Sequence, residues 1–258
     1  MTVLRPLLAL LLAFLTTAGE PLPPARGIGT WGFTGVEQAL AESRVTWYYT
    51  WSPGPGSLAG PPGAQFVPMI WGAFSAMPDV PAGDTLLGFN EPDVAAQANM
   101  TVAQALHLWP ALMATGLRLG SPAVSANAAT PDGWLDLFMS SAAELGYRVD
   151  FIAVHWYGSD PAALIDYLHD VHDRYGLPIW LTEFAVADFT DGLVYAPRAD
   201  QETFLRAALP MLDRVPYLER YAWFALSDPA AEQPSGLYDH AGRPTALLDA
   251  YRSARVAR

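Results

Sequence analysis

Short apolar runs alternate with longer helical patterns from residue 26 onward, and this alternation is the feature that most limits the possible folds. Eight such runs are present, at residues 27–31, 45–51, 66–71, 86–91, 117–124, 151–157, 179–184 and 221–226. Most of them are almost continuously apolar, which is typical of strands buried on both faces of a parallel sheet. The sequence therefore predicts an α/β fold.

Helical spacing fills several of the intervening segments. Residues 101–116 carry apolar side chains at three- and four-residue intervals, begin at Thr101 and end at Gly116, as a capped helix does. Residues 134–145, 161–175, 201–212 and 245–252 repeat the scheme, and Pro161, Gly146 and Gly176 occupy positions that suit helix ends. Segments 52–64 and 72–83 are rich in Pro and Gly, and we expect only short helices there.

Eight strands with about eight crossovers predict a single, compact (β/α)8 TIM barrel over residues 26–258. The full chain has 258 residues, and such barrels usually need about 250. The alternative is an open doubly wound sheet, which usually has a glycine-rich phosphate turn after its first strand. Residues 27–31 read Gly-Ile-Gly-Thr-Trp and lack the third glycine of that turn, so the barrel is favoured.

The first 18 residues have the pattern of a secretory signal peptide. Arg5 precedes nine consecutive apolar residues at 7–15, and small residues follow at 16–18. Nine residues are too few to span the ~30 Å hydrocarbon core of a bilayer, although an uncleaved membrane anchor is the alternative interpretation. We expect residues 1–18 to be removed, residues 19–25 to form a Pro-rich N-terminal segment, and the mature protein to be secreted.

Charge and cysteine content narrow the possible partners. The chain carries 26 acidic and 14 basic residues, for a net charge of −12, and would repel a nucleic-acid backbone. It has no Cys, so no disulfide framework supports the fold. We expect a monomer with no nucleic-acid partner and no membrane contact after signal cleavage. The G-x-S-x-G motif of esterases and lipases is missing as well.

Two of the runs carry a glutamate at or near their end. Asn90-Glu91 ends the fourth run, and Glu183 stands near the end of the seventh. Active residues of a barrel lie at the carboxyl ends of its strands, and glycosidic bond cleavage requires two carboxylates, one as acid and one as nucleophile or base. Either glutamate alone fits a turn or a salt bridge, but the pair at strand ends predicts a catalytic site.

The sixth run adds polar and aromatic side chains at the same level. Alternation along a strand places His155 and Tyr157 on one face and Trp156 on the other. The Tyr157 hydroxyl can donate a hydrogen bond to a carboxylate and keep it ionised. His155 fits a sugar contact, a residue that orients the two glutamates, or a histidine whose hydrogen bonds are satisfied by the barrel itself.

Aromatic residues mark the remaining run ends. Trp31 and Trp71 stand at the ends of the first and third runs, and Trp223 and Phe224 near the end of the eighth. Positions 48, 49 and 51 of the second run are aromatic too. Aromatic walls with a few polar anchors suit sugar rings, so the sequence predicts a sugar-binding cleft, with some of these rings in the core. His169 and His172 lie one turn apart on a predicted helix, but no third ligand group is evident. We expect no metal and no other cofactor.

Several of these motifs together resemble glycoside hydrolase family 128, the small-barrel β-1,3-glucanases. The matching segments are residues 87–93 (LGFNEPD), 97–101 (QANMT), 120–124 (GSPAV), 150–157 (DFIAVHWY), 180–185 (WLTEFA), 221–224 (YAWF) and 236–239 (GLYD). Asn-Glu-Pro occurs in many retaining barrel glycosidases, whereas its combination with Val-His-Trp-Tyr and Leu-Thr-Glu-Phe-Ala is far more specific. The resemblance covers most of the mature chain.

The resemblance implies a retaining hydrolase of β-1,3-glucan that needs no cofactor, and endo action is expected. Glu91 then matches the acid/base and Glu183 the nucleophile. Four further residues match positions at the substrate: Asn90 beside the sugar 2-hydroxyl, and His155, Tyr157 and Trp223 lining the central subsite.

Two other functions stay open on the sequence alone. A barrel that binds glucan without cleaving it would keep the same cleft, and a cellulase or mannanase would cleave a different linkage. In a retaining enzyme the carboxyl groups of Glu91 and Glu183 should lie ~5–5.5 Å apart, against ~6.5–9.5 Å in an inverting one.

Overall fold

The computed structural model describes residues 23–190, 192–228, 230 and 233–253. The predicted signal peptide, residues 1–18, and residues 19–22 of the Pro-rich segment lie outside the described residues. Within the described ranges, no helix has the length and apolar character needed to cross a membrane.

Strands and helices alternate along most of the described chain. The strands are β1 (Ala25–Gly29), β2 (Trp47–Tyr49), β3 (Gln65–Phe66), β4 (Thr85–Leu86), β5 (Arg118–Leu119), β6 (Ile152–Tyr157), β7 (Ile179–Ala185), β8 (Ala187–Asp188), β9 (Val194–Tyr195) and β10 (Leu218–Trp223). The helices are α1 (Val36–Ser43), α2 (Val102–Met113), α3 (Trp134–Glu144), α4 (Pro161–Tyr175), α5 (Arg198–Leu212) and α6 (Ala246–Ser253). The α/β alternation predicted from the sequence is confirmed.

Local capping explains why the predicted helix bounds are close to the observed ones. The Thr101 side chain accepts a hydrogen bond from the Gln104 backbone N–H, and the Gln104 side chain accepts one from the Thr101 N–H, a reciprocal capping box. The Asp160 side chain caps α4 by accepting a hydrogen bond from the Ala162 backbone N–H, and Pro161 lies in the first turn of that helix. At the other end of α4, Gly176 has φ 64°, a left-handed conformation that glycine adopts without penalty.

The connections and several strands differ from the prediction. β3 and β5 have two residues each, because the runs predicted there contain Pro68 and Pro122, which have no N–H to donate to a ladder. Segments 52–64 and 72–83 form turns and bends, so the expectation of short helices there was wrong; their Pro and Gly residues disfavour helix. The structure also adds helix α1 and the antiparallel hairpin β8–β9, which the alternation did not predict.

Six strands form one parallel sheet in the order β3-β2-β1-β10-β7-β6, and β4 pairs with β5 in a separate parallel pair. Isolated parallel bridges join Met69 to Leu87 and Gly120 to Phe151. The β4–β5 pair therefore lies between the two edge strands of the larger sheet. The ladders do not run continuously around a closed barrel, and single bridges occupy the two gaps.

Two hydrophobic clusters lie on opposite faces of the strands. The outer cluster combines strand residues such as Leu181 with helix residues such as Leu40 and Leu164, so it lies between the sheet and the helices. The inner cluster comes from strands and strand ends alone: Trp47, Tyr49, Val67, Met69, Leu87, Ala123, Phe151, Ala153, Trp180 and Ala222. Because consecutive strand residues enter different clusters, strand register decides which side chains reach the site described next.

Candidate active site

A cleft of about 320 Å³ opens at the carboxyl ends of the strands, and its volume lies within the range of small-ligand sites. Its walls combine aromatic rings with two carboxylates and two amides. The lining residues are Trp31, Trp51, Trp71, Asn90, Glu91, Gln97, Tyr157, Glu183, Phe189, Leu193, Tyr195 and Phe224.

A β-bulge in β7 turns Glu183 toward the cleft. Consecutive residues of β6 pair with Leu181 and with Glu183, so Thr182 is the extra residue of β7. The register against β10 shifts between the partners of Leu181 and Phe184 as well. Leu181 and Phe184 both pack in the outer cluster, and the extra residue lets Glu183 point inward between them.

Three neutral donors surround the Glu183 carboxylate within the described part of the chain. The Tyr157 hydroxyl donates to Oε2 at 2.6 Å, and the Trp51 indole N–H donates to Oε1 at 2.7 Å. The Tyr49 hydroxyl lies 3.4 Å from Oε1. Burial, and next the charge of Glu183, raise the pKa of Tyr49 and of Tyr157 well above the ordinary value, so both phenols keep the protons they donate. These charge-assisted bonds stabilise the negative charge of the carboxylate.

Glu91 lies beyond the end of β4 and has an unusual backbone conformation. Its φ is 43°, in the left-handed region that costs a non-glycine residue energy and recurs at functional sites. The Glu91 N–H donates to the Ala123 carbonyl at 2.7 Å, and Asn90 forms an isolated bridge with Ala123. These contacts with the end of the neighbouring strand hold the Glu91 side chain, 13% exposed, at the cleft wall.

His155 lies between the two glutamates and is fully buried. Its Nδ1 is 2.9 Å from Glu91 Oε1, and its Nε2 faces Glu183 Oε1 at 3.4 Å. Burial lowers the pKa of the imidazole, but the charge of Glu183 and the hydrogen bond with Glu91 raise it, and the result lies above the ordinary value. His155 has no exposed surface and does not line the cleft, so the structure places it between the two carboxylates and outside the cleft wall.

The same three residues are close enough to ligate a metal ion. One oxygen of Glu91, one nitrogen of His155 and one oxygen of Glu183 lie within 4.8 Å of one another. Nδ1 hydrogen-bonds with Glu91, whereas Nε2 faces Glu183 without making a hydrogen bond to any described residue. One oxygen of Glu91 thus lies within 4.8 Å of one oxygen of Glu183, an approach that favours the ~5–5.5 Å carboxyl separation of a retaining pair over the ~6.5–9.5 Å of an inverting pair.

Asn90 lies beside Glu91 with 3% of its surface exposed. Its Nδ2 donates to Gln97 Oε1 at 3.5 Å, whereas its Oδ1 has no hydrogen-bond partner among the described residues. A buried carbonyl oxygen without a partner is energetically costly. Asn90 lines the cleft, although its Oδ1 atom is buried in this structure.

The structure separates the predicted aromatic platforms into cleft and core residues. Trp31 and Trp71 line the cleft, and Trp71 is 38% exposed. Trp223 is 0% exposed and donates its indole N–H to the Ser235 carbonyl at 2.6 Å. Strand alternation sends Trp223 into the outer cluster and the next residue, Phe224, into the cleft. Placing Trp223 at the substrate is therefore corrected: its ring belongs to the core.

Several cleft residues were absent from the predicted site. Trp51 was noted as an aromatic strand end, but its hydrogen bond to the nucleophile candidate depends on a residue far along the chain. Phe224 was likewise noted as an aromatic strand end, and the alternation over residues 221–224 places it in the cleft. The hairpin β8–β9 supplies Phe189, Leu193 and Tyr195, and no periodicity in its sequence signals this position.

Comparison with known proteins decides the family. A family model of the glycosyl hydrolase catalytic core matches residues 30–251. The crystal structure of a family 128 (subgroup I) endo-β-1,3-glucanase from Amycolatopsis mediterranei, in complex with laminaritriose and laminaribiose, is 47% identical with a TM-score of 0.84 and covers 90% of this chain and 99% of that one. The chain belongs to glycoside hydrolase family 128.

A more distant solved structure of family 128 and a sequence relative also match this chain. A subgroup II endo-β-1,3-glucanase from Sorangium cellulosum is 31% identical, with a TM-score of 0.76 and coverage of 91% of this chain and 100% of that one. Alkali-sensitive linkage protein 1 of Schizosaccharomyces pombe is 35% identical in an alignment of 216 positions. The alignment covers 79% of this chain and 38% of that relative's length. The family 128 membership that the motifs predicted is confirmed.

Proposed function

We propose that the chain is a secreted endo-β-1,3-glucanase that retains the configuration of the anomeric carbon. The observation that carries the proposal is the pair Glu91 and Glu183, whose oxygens approach within 4.8 Å in a cleft walled by aromatic rings. Both similar solved structures are described as endo-β-1,3-glucanases, one of them with bound laminari-oligosaccharides. These relatives support β-1,3-glucan as the substrate.

In the first step Glu183 attacks the anomeric carbon while Glu91 donates its proton to the leaving glycosidic oxygen. The bond between the anomeric carbon and that oxygen breaks, and a glycosyl ester on Glu183 forms. The difference in surroundings supports this assignment. Glu183 accepts hydrogen bonds from Trp51 and Tyr157 that favour its charged form, whereas the Glu91 carboxyl group hydrogen-bonds with His155.

In the second step Glu91 removes a proton from a water molecule, whose oxygen attacks the anomeric carbon. The ester bond breaks, and Glu183 leaves as a carboxylate. Two inversions give net retention. In this proposal Asn90 hydrogen-bonds to the sugar 2-hydroxyl, and glucose rings stack on Trp31 and Trp71.

The architecture around this chemistry is part of the proposal. We propose that residues 26–258 form one (β/α)8 domain in which the short strands β3, β4 and β5 complete a barrel through single bridges. Residues 1–18 would be removed as a signal peptide, and the mature protein would act as a monomer. Mass spectrometry of the secreted protein tests the cleavage site, and light scattering tests the monomer.

Sugar release from laminarin and curdlan, a β-1,4-glucan and a mixed-linkage glucan tests the substrate. We expect release from the β-1,3-linked polymers, with oligosaccharides of several lengths appearing early, and NMR of the first products showing the β-anomer. Binding to laminarin without hydrolysis would instead indicate a glucan-binding barrel. Release from the β-1,4-glucan alone would indicate a different linkage specificity.

A further inference from the structure

Trp51 has a backbone conformation that bulky residues rarely adopt. Its φ is 54°, in the left-handed region where an aromatic side chain is strained. Such a conformation persists only when the surroundings fix it. At Trp51 it places the indole N–H 2.7 Å from Glu183 Oε1.

Neighbouring strands provide the space and support for this conformation. A Cβ atom on Gly29, at the end of β1, would lie 2.6 and 2.9 Å from ring carbons of Trp51, so the indole fits only because position 29 is glycine. The turn itself is braced. The hydroxyls of Thr50 and Ser52 lie 2.8 Å apart, and the Met69 N–H donates to the Ser52 carbonyl at 3.1 Å.

The ionisable neighbours of the Glu183 carboxylate are the His155 imidazole and the Glu91 carboxyl group, and its hydrogen-bond donors are neutral. Among the described residues, no arginine lies within 4.0 Å of its carboxylate, and His155 is its ion-pair partner. The Trp51 N–H is thus a main support of charge on Oε1. In the first step of a retaining reaction the Glu183 carboxylate loses its negative charge, and in the second step the charge returns. A fixed donor therefore assists the second step more than the first.

We propose that Trp51 is a positioning residue that accelerates the breakdown of the glycosyl-enzyme by holding a hydrogen bond for the departing Glu183 carboxylate. This inference rests on the proposed function, because it presupposes a covalent intermediate. On this proposal Trp51 does more than offer a surface on which a sugar ring stacks. Gly29 also has a role, since that glycine lets the indole reach the carboxylate.

The Trp51→Phe variant tests the inference, because it keeps an aromatic ring and removes the N–H. Hydrolysis of 2,4-dinitrophenyl β-laminaribioside is followed by stopped flow. Losing a charge-assisted bond should lower kcat roughly 10- to 100-fold. Because the glycosyl-enzyme accumulates, KM should fall together with kcat, and the ratio kcat/KM should change by less than about threefold. A burst of dinitrophenolate equal to the enzyme concentration should precede the slow steady state.

Trp31→Phe is the matched control. The Trp31 ring stacks on Trp51, with ring centroids 6.0 Å apart, and lines the same cleft, but it makes no hydrogen bond with Glu183. We expect a higher KM without a burst. Gly29→Ala is the second variant and keeps the Trp51 side chain while displacing its ring, so it should reproduce the burst even if Trp51→Phe does not fold.

Thermal unfolding of each variant shows whether it is folded before the kinetics are interpreted. Wild-type hydrolysis of laminarin is measured first, and an inactive wild-type protein would overturn both the proposed function and this inference. An active wild type with a Trp51→Phe variant that shows no burst and a raised KM would overturn this inference alone. That result would make Trp51 a stacking surface only.

Discussion

Replacing Trp223 by alanine should destabilise the protein strongly, because its ring fills the core. The side chain is 0% exposed, and its ring centroid lies 5.0 Å from that of Phe184 and 6.4 Å from that of Phe204. Truncating such an aromatic costs about 3–5 kcal/mol. The Ser235 carbonyl also loses the indole N–H that donates to it at 2.6 Å. We therefore expect a loss in the upper half of that range, about 4–5 kcal/mol.

Urea denaturation, followed by tryptophan fluorescence and circular dichroism, measures this loss. For a chain of this size it corresponds to a melting temperature lower by about 8–20 °C. The control is Trp71→Ala, since Trp71 is 38% exposed and lines the cleft. We expect Trp71→Ala to raise the KM for laminarin while lowering the unfolding free energy by about 1 kcal/mol or less.

The two variants should thus show opposite patterns. Suppose that the unfolding free energy of Trp223→Ala lies within about 1 kcal/mol of the wild-type value and that its KM is raised. The Trp223 ring then contacts substrate, and the core assignment is wrong. If Trp71→Ala lowers the unfolding free energy by several kcal/mol and leaves KM unchanged, the Trp71 ring stabilises the fold and does not contact substrate.

Three further predictions concern the carboxylates and their partners. Tyr157→Phe removes the hydroxyl that donates to Glu183 at 2.6 Å and should lower kcat roughly 10-fold or more; unchanged kinetics on laminarin would refute the contact. Glu183→Ala should be inactive and partly rescued by azide, with NMR showing a product of inverted configuration, and a rescued product of wild-type configuration would contradict the nucleophile assignment. Because the folded protein raises the pKa of His155 above 6.5, the stability from its charge is complete below about pH 6.5 and is lost as the pH rises through the folded value. Urea unfolding from pH 5 to 9 should show this decline in wild type and a flatter profile in His155→Gln, and parallel profiles would exclude the imidazole as its source.

Local patterns in the sequence predicted the elements and the strand ends that carry the site. The bounds of α4 agree with the prediction, residues 161–175, because periodicity, Pro161 and Gly176 act within a few residues of the helix. The alternation of β6 correctly placed His155 and Tyr157 on one face, since that strand has no extra residue of its own. Glu91 and Glu183 were selected because each stands at or near the end of an apolar run. Such runs are visible in the sequence because buried strands consist mostly of apolar residues.

Only the tertiary structure decided where several of these side chains point. Unbroken alternation along β7 would send Leu181 and Glu183 to the same outer face, and the extra residue, Thr182, reverses this through the pairing of β7 with both neighbours. The left-handed backbone of Trp51 is likewise supported by the open space at Gly29 on another strand. Trp51 and Glu183 are 132 positions apart, so their hydrogen bond is set by strand register and packing between distant segments, which no local pattern of residues contains.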